Sequence, residues 1–273
     1  MEEARALLAR RETAAGLARL RLLSDTGEAQ ASALLATLHA LGASMAKDWS
    51  QARRLLALAV EQGSEHARAQ LEILDAEGDP DRLPPRQRLC EAPRVRRMDG
   101  VLTPAACGWL IDQARGRLSQ AATLDNGQTA YNDNRTNSAF AFTTDDLDCI
   151  SALARHRAAL TVQVPEAVIE LPQIFHYTPG QEFRPHVDYF PPGGRTQRIA
   201  TFLIYLNDAF EDGETWFRRP DLKAKAATGG AIYFANVDPS GAPDPLTLHA
   251  GLSPTNGEKW LLSQWVHDRP YLG

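Results

Sequence analysis

The chain has 273 residues, a formal net charge of −5 at pH 7 and 44% hydrophobic residues. That length can bury a full-sized core and still carry a smaller appendage. The acidic balance leaves no global basic field to attract nucleic acid, and no apolar run approaches the length of a membrane span. Cys90, Cys107 and Cys149 show neither a pairing pattern nor a zinc spacing and suit a reducing compartment. The opening Met-Glu-Glu-Ala-Arg lacks the basic-then-apolar order of a secretory signal. The expected location is therefore cytoplasmic, without a membrane or nucleic-acid partner; the oligomeric state is left open.

Residues 1–77 are rich in alanine and leucine. Leu34, Leu35 and Leu38, then Leu55, Leu56 and Ala59, recur at the three-to-four residue interval of an amphipathic helix. Gly27-Glu-Ala-Gln30 and Gly63-Ser-Glu-His-Ala67 look like successive unit starts, with Gly42, Lys47-Asp48 and Ala52 between them. The segment resembles the Sel1-like helical repeat, a relative of the tetratricopeptide repeat. It holds fewer than the three repeats that a free-standing solenoid usually needs. It is expected to act as a helical prop or as a docking surface for a peptide or protein.

Residues 78–93 read as a linker, from Gly78-Asp-Pro-Asp-Arg-Leu-Pro-Pro85 to Ala92-Pro93, with interleaved arginines and acids. Residues 94–273 form the third segment. A short strand is expected over 95–101. Thr103-Pro104 then caps a helix that runs to about Leu118. A polar Asn/Asp/Gly-rich loop covers 119–138, and a second helix covers about 144–160. Strands are expected at 167–177, 183–188, 198–206, 230–235, 246–250 and 258–267. Turn signals at Pro179-Gly180, Pro191-Pro-Gly-Gly194, Asp212-Gly213 and Gly229-Gly230 separate them.

Within this β-rich part, His186 and Asp188 stand in His-x-Asp order, and His249 follows after a long gap. On a strand, residues i and i+2 point to the same side, so His186 and Asp188 can reach one ion. His249 must then come from a strand distant in sequence but adjacent in space. Two imidazoles and one carboxylate cap one face of an octahedral metal, the facial triad of non-haem Fe(II) oxygenases. Lys259, on a later strand, supplies a cation at the depth where the far carboxylate of 2-oxoglutarate would end. A buried lysine needs a partner, and no acidic candidate stands out in its local sequence.

Several blocks in register carry a wider resemblance. They are Phe175-His-Tyr-Thr-Pro-Gly-Gln-Glu-Phe-Arg-Pro-His-Val-Asp-Tyr-Phe190, Arg198-Ile-Ala-Thr-Phe-Leu-Ile-Tyr-Leu-Asn207, Gly213-Glu-Thr215, Leu248-His-Ala-Gly251 and Gly257-Glu-Lys-Trp260. Together they resemble the prolyl 4-hydroxylases over roughly residues 95–270. The resemblance implies an α+β fold, a double-stranded β-helix (jelly roll) flanked by helices. It implies Fe(II) held by His186, Asp188 and His249, with 2-oxoglutarate as co-substrate, O2, and ascorbate as an auxiliary reductant. Lys259 matches the partner of the distal 2-oxoglutarate carboxylate, Tyr205 a hydroxyl donor to that carboxylate, and Tyr177 a tyrosine lining the same pocket. Glu170, Arg198, Trp265 and His267 match residues on the substrate side of the site. The loop Asn134-Arg-Thr-Asn-Ser138 is similar to a segment beside the peptide groove, with Arg135 as its substrate-gripping residue.

The implied reaction couples decarboxylation of 2-oxoglutarate to succinate with hydroxylation of an unactivated C–H, on proline within a peptide or protein. The chain departs from the pattern at Phe183, where these enzymes often carry tyrosine, and at Glu211-Asp-Gly213, which replaces an acidic-Gly-Gly turn. The phenylalanine admits another residue, or a small amino-acid-like molecule, as substrate. Two further readings stand beside these: a non-catalytic binding module on the same fold, and a zinc hydrolase, since His2Asp can also hold zinc.

Overall fold

The alanine–leucine periodicity of the first 77 residues builds helices α1 (Glu2–Ala9), α2 (Thr13–Asp25), α3 (Ala29–Leu41), α4 (Trp49–Glu61) and α5 (Glu65–Glu77). The computed structural model describes residues 1–125, 128–191 and 196–270. Each start has a local chemical cause. The Asp48 carboxylate accepts from the Gln51 N–H at the head of α4, and Ser64 Oγ accepts from Ala67 N–H at the head of α5. The two segment starts seen in sequence share one geometry, with Gly27 and Gly63 both at φ +94°. There the backbone reverses so that the next helix can lie against the last. Ala4, Leu17, Leu20, Ala31 and Leu35 form the apolar core of this unit. The unit comprises residues 1–82 together with 146–156.

The second unit comprises residues 83–145 and 157–273. It opens with β1 (Gln87–Cys90) and β2 (Val95–Met98), an antiparallel pair, so part of the stretch expected as linker is strand. Next come α6 (Pro104–Ala114), capped by Thr103 Oγ1 as anticipated, then β3 (Ser119–Gln120), β4 (Thr123–Asp125), β5 (Gln128–Ala130) and β6 (Ser138–Ala141). After α7 (Cys149–Val162) lie β7 (Gln173–Tyr177), β8 (Phe183–His186), β9 (Arg198–Tyr205) and β10 (Phe210–Asp212). Then follow β11 (Thr215–Phe217), β12 (Leu222–Ala224), β13 (Ala231–Ala235), β14 (His249–Gly251), β15 (Pro254–Gly257) and β16 (Lys259–His267). Strands of two to four residues such as β3, β5, β11 and β15 escape a periodicity reading because alternation needs about four residues to show. Of the expected turn at Pro191–Gly194, residues 192–194 lie outside the described residues.

Most strands form a large sheet in the order β1-β2-β13-β9-β16-β7-β6-β3 and a small sheet in the order β12-β11-β14-β8, while β10–β15 and β4–β5 are separate pairs. Every pairing among these strands is antiparallel. Side chains of both sheets meet in one core: Phe217 and Ala224 from the small sheet, and Phe175, Leu203, Ile232, Phe234 and Leu261 from the large one. Phe217 and Phe234 meet edge to face, 5.0 Å between centroids. This is the jelly roll, and the class is α+β. Among the described residues no helix is long and apolar enough to cross a membrane.

The Gly229-Gly230 turn is a tight backbone crossing. Gly229 has φ +77°, and a Cβ there would lie 1.9 Å from the Leu102 carbonyl oxygen. Leu102 N–H donates to the Gly229 carbonyl across the same contact. Gly229→Ala is expected to cost about 2–3 kcal/mol, since strain and overpacking against backbone combine. Urea denaturation measures this, and a loss within about 0.5 kcal/mol would contradict the packing described.

Candidate active site

β8 and β14 pair antiparallel with His186 directly opposite His249. β8 ends at His186, so Asp188 stands just beyond the strand rather than within it. The three side chains still converge, with ligand atoms within 4.8 Å of one another. Among the described residues no other cluster of histidine, cysteine and acid does this. His186 Nδ1 lies 2.9 Å from the Arg184 carbonyl, and His249 Nδ1 lies 2.9 Å from the Thr247 carbonyl. A carbonyl can only accept, so both rings donate from Nδ1 and turn Nε2 toward Asp188. Those Nε2 atoms lie 3.6 and 3.8 Å from the Asp188 oxygens.

The electrostatics match the needs of a metal. Burial works against the Asp188 carboxylate, yet His249 and His186 beside it hold its pKa well below the usual carboxylate range. Burial pushes His249 down to about 4, so its imidazole is neutral at pH 7. Two imidazoles with one carboxylate are the donor set of a divalent first-row ion.

Strand β16 supplies the other end of the pocket. Its alternate residues Lys259, Leu261, Ser263 and Trp265 share a face and line the pocket that contains the triad. Lys259 is fully buried, and its Nζ has no hydrogen-bond partner among the described residues. Burial lowers its pKa to about 7, against the pull of Glu214. Glu214 is the acid that the local sequence did not bring out. It acts through its charge but makes no hydrogen bond to Nζ. An ammonium in this state is relieved by a carboxylate ligand, which fits the distal carboxylate of 2-oxoglutarate. Ser263 Oγ and Trp265 Nε1 on the same pocket are also buried without hydrogen-bond partners among the described residues, as is Arg135 Nη2. Every one of these groups can donate, so the site suits a ligand rich in acceptors.

The remaining candidates divide. Tyr177 lines the pocket, its ring centroid 4.6 Å from Lys259 Nζ. Its hydroxyl uses the space left by Gly251, where a Cβ would stand 3.0 Å away. Burial raises its pKa to about 12, which keeps it a donor. Tyr205 does not line the pocket. Its hydroxyl donates to the Ala224 carbonyl at 3.0 Å and meets Thr215 Oγ1 at 3.1 Å, and it is Thr215 that faces the site.

Glu170, Arg198 and His267 are committed mainly to one another. Arg198 reaches Glu170 with a fork at 2.6 and 3.0 Å, and His267 Nε2 bonds the same carboxylate at 2.5 Å. Burial opposes the Glu170 charge, but His267 and Arg198 outweigh it and lower its pKa. Arg198 in turn stacks on Trp265, 3.9 Å from the ring centroid. Of these four residues Trp265 alone lines the pocket; the other three brace it. Arg135 lies between Phe175 and Phe183, 4.3 and 4.4 Å from their centroids, and donates to Asn137 and the Ala122 carbonyl. Phe183 itself stacks on His186, with centroids 3.4 Å apart. The sequence reading missed Thr201, Thr215, Ser263 and Asn236. Small hydroxyl and amide residues leave no mark in a hydrophobic pattern, and only their strand register places them at the site.

A buried two-histidine, one-carboxylate cluster between the sheets of a jelly roll, with a lysine at depth, defines a non-haem metal oxygenase site. Residues 172–267 match the family described as the 2OG-Fe(II) oxygenase superfamily. The chain is 33% identical over 220 residues to Probable prolyl 4-hydroxylase 6 of Arabidopsis thaliana, covering 71% of this chain and 74% of the relative. It is 32% identical over 201 residues to Prolyl 4-hydroxylase 1 of the same plant, covering 65% and 70%. The structure resembles the viral collagen prolyl hydroxylase of Paramecium bursaria Chlorella virus-1 in its 2OG complex. That match has a TM-score of 0.51 at 25% identity, over 66% of this chain and 98% of that one. The chain belongs to the prolyl 4-hydroxylase family of 2OG-Fe(II) oxygenases. It is a 2-oxoglutarate-dependent dioxygenase that uses Fe(II), 2-oxoglutarate and O2, which sets aside the zinc hydrolase and the non-catalytic module.

Two outcomes follow from this electrostatics. Above pH 7 the free Lys259 is largely neutral, and a carboxylate bound beside it favours the ammonium. Binding of 2-oxoglutarate is therefore expected to take up a proton at pH 8 and little at pH 6. Calorimetry in two buffers of different ionisation enthalpy reads the uptake, and Lys259→Met is expected to abolish it; identical enthalpies at pH 8 would contradict the assignment. Glu170→Ala strands the Arg198 guanidinium, and is expected to cost about 3–5 kcal/mol by urea denaturation.

Proposed function

We propose that the enzyme hydroxylates proline within a peptide or protein segment, in the cytoplasm. The observation that carries the reading is the fully buried Lys259, without a hydrogen-bond partner among the described residues, on the same pocket as the His186, Asp188 and His249 cluster. The relatives' names, prolyl 4-hydroxylase in Arabidopsis and collagen prolyl hydroxylase in the virus, supply the substrate class. Cys90, Cys107 and Cys149 form no disulfide with one another, which fits a reducing compartment.

His186, Asp188 and His249 would hold the iron, and Lys259 with the Tyr177 hydroxyl would receive the distal carboxylate of 2-oxoglutarate. When bound, Fe(II) with 2-oxoglutarate and O2 supplies the oxidising power to place one oxygen atom in a C–H bond, with succinate and CO2 as co-products. The protein's own work is positioning. Lys259 sets which way round the keto acid lies. The Nδ1–carbonyl bonds of both histidines fix their ring planes. Leu203, Leu261 and Phe175 make the apolar wall that keeps water away from the reacting carbon. Arg135 Nη2 and Trp265 Nε1, both without partners, would receive substrate carbonyl oxygens.

A second reading, hydroxylation of another residue or of a small amino-acid-like molecule, rests on Phe183. Its ring covers His186 with no hydroxyl to offer a proline-containing chain.

Anaerobic reconstitution with Fe(II), then succinate release from 2-oxoglutarate across proline-rich peptides, tests both. Peptide-dependent release that falls more than about 100-fold in His186→Ala is the expected outcome. Release that ignores the peptide would retire the prolyl reading in favour of the second, and no release with no iron bound would overturn both.

A further inference from the structure

The Asp188 carboxylate is tied on one side by a chain of two donors. Thr201, on β9, donates Oγ1–H to Asp188 Oδ2 at 2.6 Å. Asn236, just past β13, donates Nδ2–H to Thr201 Oγ1 at 2.9 Å. All three are buried, with exposures of 6%, 1% and 0% for Asp188, Thr201 and Asn236. The direction of the chain is set by chemistry. An ionised carboxylate only accepts, and the single threonine proton is committed to it, so the threonine lone pair takes the amide N–H. Register holds Thr201 in place, opposite Trp265 of β16 on one side and Phe234 of β13 on the other. With Oδ2 engaged, Oδ1 is the uncommitted oxygen, 3.6 Å from His186 Nε2.

We infer that Asn236 and Thr201 form a positioning relay that holds Asp188 as a one-oxygen metal ligand. A carboxylate free to turn can present both oxygens and occupy two coordination positions. Held by Thr201 it occupies one, and the positions needed by co-substrate and O2 stay open. The amide of Asn236 matters because the threonine hydroxyl can otherwise rotate about χ1 and abandon Asp188. The inference rests on reading His186, Asp188 and His249 as the metal ligands.

The test uses the full chain, stripped of metal and titrated with Mn(II) or Co(II) against a competing chelator. Water-proton relaxation of the Mn(II) complex counts its exchangeable waters. Thr201→Val keeps the shape of the side chain and removes the donor. It is expected to weaken metal affinity about 10–100-fold and to lower the relaxivity by the share of one water. Thr201→Ser is expected to restore both, and the melting temperature of the metal-free protein controls for folding. If Thr201→Val does not fold, Asn236→Ala leaves the hydroxyl but frees it to rotate, with a smaller loss in the same two readouts. Wild-type affinity and relaxivity in the folded variant would overturn the relay. A wild-type protein that binds neither ion would instead overturn the metal site itself, so the two failures are told apart.

Discussion

The contact of His186 with His249 across the β8–β14 pair is the constraint on which the site depends. Cross-strand neighbours in an antiparallel pair stand about 4.5–5.5 Å apart, and the two imidazole centroids here are 4.3 Å apart. That spacing suits two ligands of one small ion without further adjustment. Asp188 completes the set only because the strand ends at His186 and the chain turns, bringing the carboxylate back within 4 Å of both rings. The small sheet thus supplies the imidazole ligands, and the large sheet supplies Lys259 from β16. Packed sheets stand about 10 Å apart. A short dicarboxylate reaching from one to the other is the ligand that such a separation admits.

Buried charge is handled in three ways, and the difference separates scaffold from site. Glu170, Arg198 and His267 satisfy one another and hold Trp265 by stacking. Asp188 is satisfied on one oxygen and left available on the other. Lys259 has no hydrogen-bond partner among the described residues. A buried ammonium in that state is costly, so Lys259 marks where an anionic ligand fits. Trp265 links the two regimes: its ring is pinned from behind by Arg198 while its Nε1 remains free toward the pocket.

The helical part was legible for local reasons. Gly27 and Gly63 each sit at a left-handed φ that reverses the chain, and Thr103, Asp48 and Ser64 cap the helices they precede. Such signals act over a few residues and can be read off a linear chain. Tyr205 shows where this stops. Family position made it a carboxylate donor, yet its proton goes to the Ala224 carbonyl, and Tyr177 is the tyrosine on the pocket. Glu170, Arg198 and His267 are expected from the resemblance on the substrate side of the site; only the folded chain brings them together, bonded to one another with Arg198 stacked on Trp265.

The helical first segment, the β-rich second one, the three ligand types and the lysine that follows them are legible in the chain itself. Spacing along a strand and motif order are properties of the chain, so they survive without coordinates. Tertiary structure alone decided which polar groups meet. The Asn236–Thr201–Asp188 chain joins residues from three separated stretches, and Ser263 reaches the pocket only because β16 lies between β9 and β7. Hydrogen bonds between strands depend on register and sheet order. Those are set by how the whole core packs, and no local pattern encodes them.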